Sequence, residues 1–337
     1  MVYGTTLSTQ HNLSVQGSSE RARWMASLGY ANDRSIIKAV YDGAKKYTAR
    51  LNVDFDLTKW LTLNTNMSYS NRYVSGPRDG VDGNNSGMYD CPCAPAYTPS
   101  GEFYDYYVTG RSPLAAMKGG GVANQEFETF RYSNTLKATI NSDFDVTGSW
   151  AFIKNNNVQT ETKTTYYVGY WDGSQKVTVN QQKDTYIQER IQRTFYENYL
   201  LQLNYHHTFA DAHNVAAMIG VNAERNTYKN VTAKRNGLLY DGLYDLNTGS
   251  SDPSYQSITG GSNQNGYVSY IGRANYDYAG KYMLEVLGRR DGTSKFHPDY
   301  RWSNFGTASV GWRISEENFI KDNICLLYTS PSPRDCS

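Results

Sequence analysis

The sequence predicts an all-β protein, an incomplete transmembrane antiparallel β-barrel with short periplasmic turns and long extracellular loops. Three observations lead there. Stretches of about ten residues alternate apolar and polar side chains, a period of two and not 3.6. Tyr is the compositional outlier at 30 of 337 residues, while the mean hydropathy is negative. Short turns and long loops succeed one another strictly, as they do in barrels whose two ends face different compartments.

The clearest hairpin runs from Tyr47 to Ser70. In its first arm Tyr47, Ala49, Leu51, Val53, Phe55 and Leu57 alternate with Thr48, Arg50, Asn52, Asp54 and Asp56. A turn at Thr58, Lys59 and Trp60 follows, and Leu61, Leu63, Met67 and Tyr69 then alternate with polar partners. Ten tilted residues at about 3.3 Å each cross the roughly 25 Å apolar band of an outer membrane. Barrel strands expose only alternate residues to lipid, so a negative mean hydropathy is compatible with a membrane wall.

In chain order, Leu13 and Val15 alternate before a turn at Ser18 to Glu20, and Trp24, Ala26, Leu28 and Tyr30 share the next face. A charged connection over 31–46 leads to the hairpin. An insertion over 71–124 is rich in Gly, Pro, Asn and Tyr. Alternation resumes with Tyr132, Leu136, Ala138 and Ile140, and a turn is expected at Asp145 to Ser149, ahead of Trp150 and Phe152. An outer loop with strand extensions is expected over 155–184. Phe195 to Phe209 and Val215 to Ala223 form a hairpin about Ala210-Asp211-Ala212, and a further loop is expected over 226–265. Val268 to Tyr278 and Tyr282 to Val286 flank Ala279-Gly280-Lys281. After a loop over 291–300, Trp302, Ala308, Val310, Trp312 and Ile314 share a face, for about 12 strands in all.

The formal net charge is +1, from 33 basic and 32 acidic residues, so no global field favours nucleic acid as a partner. The four Cys form no obvious disulfide framework. Cys91-Pro92-Cys93 would need further ligands, and none of the five His has the spacing to supply them, so neither metal nor cofactor is expected. Adjacent His206 and His207 point to opposite faces of a strand and cannot converge on one atom, and no catalytic group is predicted. Asp79 to Asn85 is rich in oxygen ligands but lacks the calcium-loop spacing. Arg50, Asn52, Asp54 and Asp56, with Arg273, Asn275 and Asp277, are expected to face the lumen, to pair there, meet solvent or contact a plug.

Two stretches carry a family resemblance. Asn12 to Glu20, with Ser27-Leu28-Gly29-Tyr30, resembles the barrel start of SusC/RagA-type TonB-linked outer-membrane transporters. Arg289-Arg290-Asp291-Gly292-Thr293-Ser294-Lys295-Phe296, then Arg301-Trp302 and Gly311 to Glu317, is similar to a signature deeper in those barrels. The resemblance covers roughly residues 5 to 322. It implies a 22-stranded barrel in the outer membrane of a Gram-negative bacterium, surrounded by outer-membrane lipid. It further implies an N-terminal plug through which a TonB complex acts, a SusD-like surface lipoprotein partner, and a glycan or peptide substrate.

Residues 1–324 are therefore expected to be a partial receptor barrel, the start and plug lying outside this sequence, and 325–337 a non-native tail. Aromatic side chains on long loops suit sugar stacking and peptide contact. Tyr104, Tyr106 and Tyr107 in one loop and Tyr166, Tyr170 and Trp171 in the next are the candidate substrate-binding residues, against an interface girdle or loop packing. The rival readings are a surface-exposed structural or adhesive β-protein and a passive porin.

Overall fold

The structure is a computed structural model that describes residues 4–78, 95–105, 112–173, 176–179, 181–240 and 242–321. Its strands are β1 (Thr9–Ser18), β2 (Ala22–Arg34), β3 (Gly43–Thr58), β4 (Leu61–Pro77), β5 (Val122–Thr139), β6 (Phe144–Lys163), β7 (Tyr166–Gly169) and β8 (Lys176–Val179), then β9 (Tyr186–Phe209), β10 (His213–Asn236), β11 (Gln256–Tyr278), β12 (Tyr282–Thr293) and β13 (Trp302–Trp312). Two α-helices, α1 (Pro113–Gly119) and α2 (Asn318–Lys321), and five single-turn 3-10 helices complete the regular structure of the described residues.

Eleven strands form one sheet in the order β1-β2-β3-β4-β5-β6-β9-β10-β11-β12-β13, while β7 and β8 pair by themselves. Every pairing in the large sheet is antiparallel, so each strand lies beside its predecessor in that order. Within the described residues β1 and β13 are its edges. The expected count of about twelve is thus eleven, and each alternating segment read from the sequence corresponds to one of them.

Register preserves the alternation across the wall. Leu136, Gly148, Leu201, Val221 and Tyr270 lie side by side on one face, as do Leu203, Ile219 and Gly272. None of the described residues covers this face: Leu13, Leu28, Leu201, Ile219 and Val310 are all more than half exposed. The opposite face carries polar pairs. Asn64 donates to Asp54 over 3.0 Å, Asn204 to Asp145 over 2.8 Å and Asn214 to Asp277 over 2.9 Å.

Aromatic contacts bracket the apolar rows. At the short-turn end Phe144 meets Tyr205 (4.8 Å between centroids), Tyr278 stacks on Tyr282 and Tyr282 on Trp312. Towards the long loops Tyr30 meets Tyr47, Tyr132 meets Trp150, Trp150 stacks on Tyr199 and Tyr270 on Trp302. On β9 the belts are marked by Phe209 and Tyr199. The intervening ten residues rise ~33 Å along a strand, or ~25 Å along the axis of a barrel wall tilted by about 40°.

Several boundaries differ from expectation. The turn placed at Asp145 to Ser149 lies instead at 140–143, and Asp145 to Ser149 belong to β6. Asn141 makes that turn, its Oδ1 accepting from the backbone N–H of Asp143 (2.8 Å) and Phe144 (2.9 Å). Gly148, which reads as a turn residue, is paired in mid-strand with Leu136 and Leu201. The strands also run well past ten residues. β9 and β10 each have 24, and the loops expected over 31–46, 71–124, 226–265 and 291–300 shorten to 35–42, 78–121, 237–255 and 294–301. Beyond the aromatic belt both faces of a strand meet water, so the ladder continues while the alternation stops. Asn226 to Arg235 pair residue by residue with Asn265 to Gln256 in a stretch polar on both faces.

Two short turns hold residues with positive φ. Ala210 (49°) and Asp211 (53°) join β9 to β10, and Ala279 (51°) with Gly280 (70°) joins β11 to β12. Left-handed residues at both central positions of these four-residue turns give a twist that suits the flanking antiparallel strands.

Candidate functional site

The buried apolar side chains sit mostly at the long-loop end: Leu114, Ala115, Ala116, Met117, Val168, Ile187 and Leu238. They belong to a small cap made by the β4–β5 and β6–β9 connections and the strand ends beneath them. Its first piece is a hairpin over 96–104, turned at Thr98-Pro99-Ser100-Gly101. Gly101 supplies φ 87°, and the Thr98 hydroxyl accepts from the Glu102 N–H over 3.1 Å. The hairpin docks on β7, Asp105 N–H donating to Gly169 O (3.1 Å) and Gly169 N–H to Phe103 O (2.8 Å).

Helix α1 follows. Ser112 caps it by accepting from the Ala115 N–H, Pro113 occupies its first turn, and Leu114 to Met117 are buried. Gly121 returns the chain to β5 at φ 113°, where an added Cβ would lie 1.9 Å from the Thr162 carbonyl oxygen. Lys118, in the last turn of α1, donates to the Tyr97 hydroxyl (3.3 Å) and lies over the Phe103 ring (5.9 Å).

Of the six candidate aromatics, Tyr106 and Tyr107 lie outside the described residues. Tyr104 and Trp171 are brought together edge to face, with centroids 5.6 Å apart, and Trp171 is 52% exposed. Tyr170 is half-buried at the start of a turn closed by the Gly173 N–H, 3.0 Å from Tyr170 O. The Cβ of Tyr166 fills the space over Gly119 at the end of α1. The sequence reading missed Tyr97, Phe103 and Lys118, which form a second aromatic and cationic face of the cap. Its available signal was the Pro99-Ser100-Gly101 turn between two aromatic residues. A further exposed set, Leu239, Tyr240, Leu243 and Tyr244, lies on the neighbouring β10–β11 loop.

Beneath the cap a charged cluster ties four strand ends together. Arg78 Nε lies 3.1 Å from Glu161 Oε1 and donates to the Tyr186 hydroxyl over 3.1 Å. Tyr186 in turn donates to Glu161, and Lys234 Nζ lies 3.8 Å from the centre of its ring. Burial first, and then the hydrogen bond to Glu161, push the Tyr186 phenol above its ordinary value. A neutral phenol is thereby held between a carboxylate and two cations.

Among the described residues no group of three or more His, Cys, Asp or Glu could hold a metal. Asp79 to Asn85 and all four Cys fall outside them. His207 Nδ1 lies 3.1 Å from Asp143 Oδ2, while alternation turns His206 to the other face. Three of the residues expected on the polar face pair with neighbours there: Asp54 with Asn64 and, at 3.9 Å, Arg23, Asp56 with Thr62, and Asp277 with Asn214.

No family model matches the chain. It is 26% identical over 327 residues to TonB-dependent receptor P26 of Formosa agariphila, a match over 92% of this chain and 30% of that receptor. It is 25% identical over 350 residues to TonB-dependent receptor SusC of Bacteroides thetaiotaomicron, covering 95% of this chain and 32% of the receptor. A solved structure of the RagAB peptide transporter superposes with a TM-score of 0.75 at 17% identity, over 95% of this chain and 36% of that one. The chain is similar, over nearly its whole length, to part of the barrel of these receptors.

The chain spans about a third of the length of these relatives. The stretch that carried the stronger resemblance also has a structural explanation. Arg289 Nε donates to Asp291 (2.6 Å) and its Nη2 to Ser269 (3.2 Å), while Gly292 leaves room for the Trp302 ring, which an added Cβ would meet at 2.8 Å. The signature thus joins β11, β12 and β13 near the aromatic belt on the long-loop side.

Proposed function

We propose that this chain forms part of the barrel wall and outer vestibule of an outer-membrane TonB-dependent transporter that imports glycans or peptides. The observation that carries the reading is the inverted wall: apolar rows exposed between two aromatic belts ~25 Å apart, backed by a hydrogen-bonded polar face. Over nearly the whole chain, the likeness to named TonB-dependent receptors points the same way. The short turns then face the periplasm and the long loops the exterior, where the Tyr104–Trp171 pair and the Tyr97–Phe103–Lys118 face are placed to meet a sugar ring or a peptide.

A SusD-like surface lipoprotein is the proposed partner on that side, with exposed Leu239, Tyr240, Leu243 and Tyr244 as its contact. Energy enters through a TonB complex acting on a plug, and the chain's own part is to bind and gate, without bond chemistry. The test is uptake of candidate oligosaccharides and peptides by cells carrying the protein, with and without an energised TonB system. Uptake that ceases when TonB is removed supports the reading. Uptake that persists unchanged favours a passive porin, and a protein found at the surface but outside the bilayer favours an adhesive role.

A further inference from the structure

We propose that the outward face of β9 to β13 holds a phosphorylated lipid of the outer leaflet in a groove just beyond the long-loop aromatic belt. The inference rests on the outer-membrane reading above. The groove has a volume of about 500 Å³, and its walls include Arg225, Gly266, Gly292, Ser294, Arg301 and Trp302.

Its position follows from register. Arg225 stands opposite Gly266 on β11, two residues beyond Ala223, and Arg290 stands opposite Tyr270. Both therefore share the outward face with Leu201, Ile219 and Val221. An Arg on that face costs about 2–4 kcal/mol at the bilayer midplane but only about 0–1 near the interface; Arg225 lies one pair beyond the belt row of Tyr199 and Trp302, and Arg290 one pair inside it, with its guanidinium over Trp302.

The chemistry of the groove is cationic over an apolar floor. Glu197, whose side chain is 8% exposed, accepts from both Nε and Nη2 of Arg225 and so orients a guanidinium that remains 54% exposed. The Arg290 guanidinium lies 5.2 Å over the Trp302 ring and makes no ion pair among the described residues. Arg301 is anchored through Nε to the Phe296 carbonyl (3.0 Å), leaving its other donors for a ligand. Glu224 also borders the groove, but alternation puts it on the inner face, where Asn222 donates to it over 2.9 Å.

Arg225 and Arg301 in the groove wall, with Arg290 beside it on the Trp302 ring and the Glu197 carboxylate already neutralised, match a phosphate monoester or diester, which guanidinium forks bind bidentately. Gly266 removes a side chain from β11, and Val268, Ala223 and the Trp302 ring, which lies over Gly292, line the space it leaves. In a bilayer such a hollow is filled by an acyl chain. A lipid that carries its phosphate at the headgroup and its chain below fits both features, whereas a free phosphate uses only the first.

The test uses the protein extracted from outer membranes and reconstituted in phosphatidylcholine vesicles doped with diphosphoryl lipid A, or with its dephosphorylated form. Lipid retained on the protein is measured by native mass spectrometry, and assembly is checked by heat-dependent gel mobility. The expected result is preferential retention of the diphosphoryl form, weakened roughly tenfold in Arg290→Gln/Arg301→Gln. Gly266→Leu, which fills the floor and keeps every charge, should weaken it too. Equal retention of the dephosphorylated lipid, unchanged retention in both variants, or complete displacement by inorganic phosphate would overturn the proposal. If the protein is absent from outer membranes, the transporter reading fails together with the lipid site. If it is present, assembled and indifferent to lipid phosphate, only the lipid site fails.

Discussion

The wall and the cap are made by one chain and stabilised in opposite senses. In the wall, Leu201, Ile219 and Val310 are 60%, 63% and 84% exposed, and polar side chains pair on the other face. In the cap, Leu114 to Met117, Val168 and Leu238 are buried and the polar residues lie outside, apart from hydrogen-bonded groups such as the Ser112 cap. The difference teaches that the surroundings change along the strand axis. Below the aromatic belt the solvent is hydrocarbon, and backbone pairing carries the structure; above it the solvent is water, and ordinary burial does.

Substitutions can break this contrast from either side. The largest effect is expected in the cap. Leu114→Arg places an unpaired charge in a water-facing core, at a cost of several kcal/mol, so protease should cut the loops over 78–121 and 164–185 while the wall still assembles. In the wall, Ile219→Arg should cost about 2–4 kcal/mol if its face meets lipid, whereas Met218→Arg, one residue along and on the polar face, should be tolerated. The measurement is the urea midpoint of the reconstituted protein.

Two smaller effects sharpen the boundary. Folding raises the Tyr186 phenol above its ordinary value, so the folded state holds that proton more tightly than the unfolded chain. Its contribution is complete below about pH 10 and lost as pH rises through the raised value. Cap proteolysis should therefore increase above that pH in the native protein, and Tyr186→Phe should remove this pH dependence. Trp171→Ala should weaken a bound glycan or peptide roughly fivefold, read by calorimetry, without altering assembly. The smallest effect lies at the short turns. Ala210→Asn with Asp211→Gly relieves two positive-φ residues and should stabilise the wall by about 1 kcal/mol in the same urea titration.

The wall was legible because lipid on one side and a polar face on the other impose alternation on every residue that crosses. All eleven segments and the Ala210 and Ala279 turns could be read in that way. The strand ends were not legible, since β10 and β11 beyond Asn226 and Asn265 are wet on both faces and carry no period. The 140–143 turn was displaced because Gly148 advertises a bend that β6 does not make, while Asn141 makes one through its side chain. The cap was harder still. Tyr104 and Trp171 were named for their chemistry, yet their meeting depends on the hairpin over 96–104 pairing with β7, a contact between distant loops. Tyr166 was named on the same grounds, and its Cβ lies against Gly119 at the end of α1.

The central claim is that the exposed apolar face is a lipid-facing one. The most direct test is a spin label placed in turn at residues 217–222 of the reconstituted protein, with collision rates measured against dissolved oxygen and a water-soluble nickel chelate. The account predicts a period of two, with oxygen access high and nickel access low at 217, 219 and 221, and the reverse at 218, 220 and 222. Nickel access equally high at 219 and 221 would contradict it, because that face would then be in water.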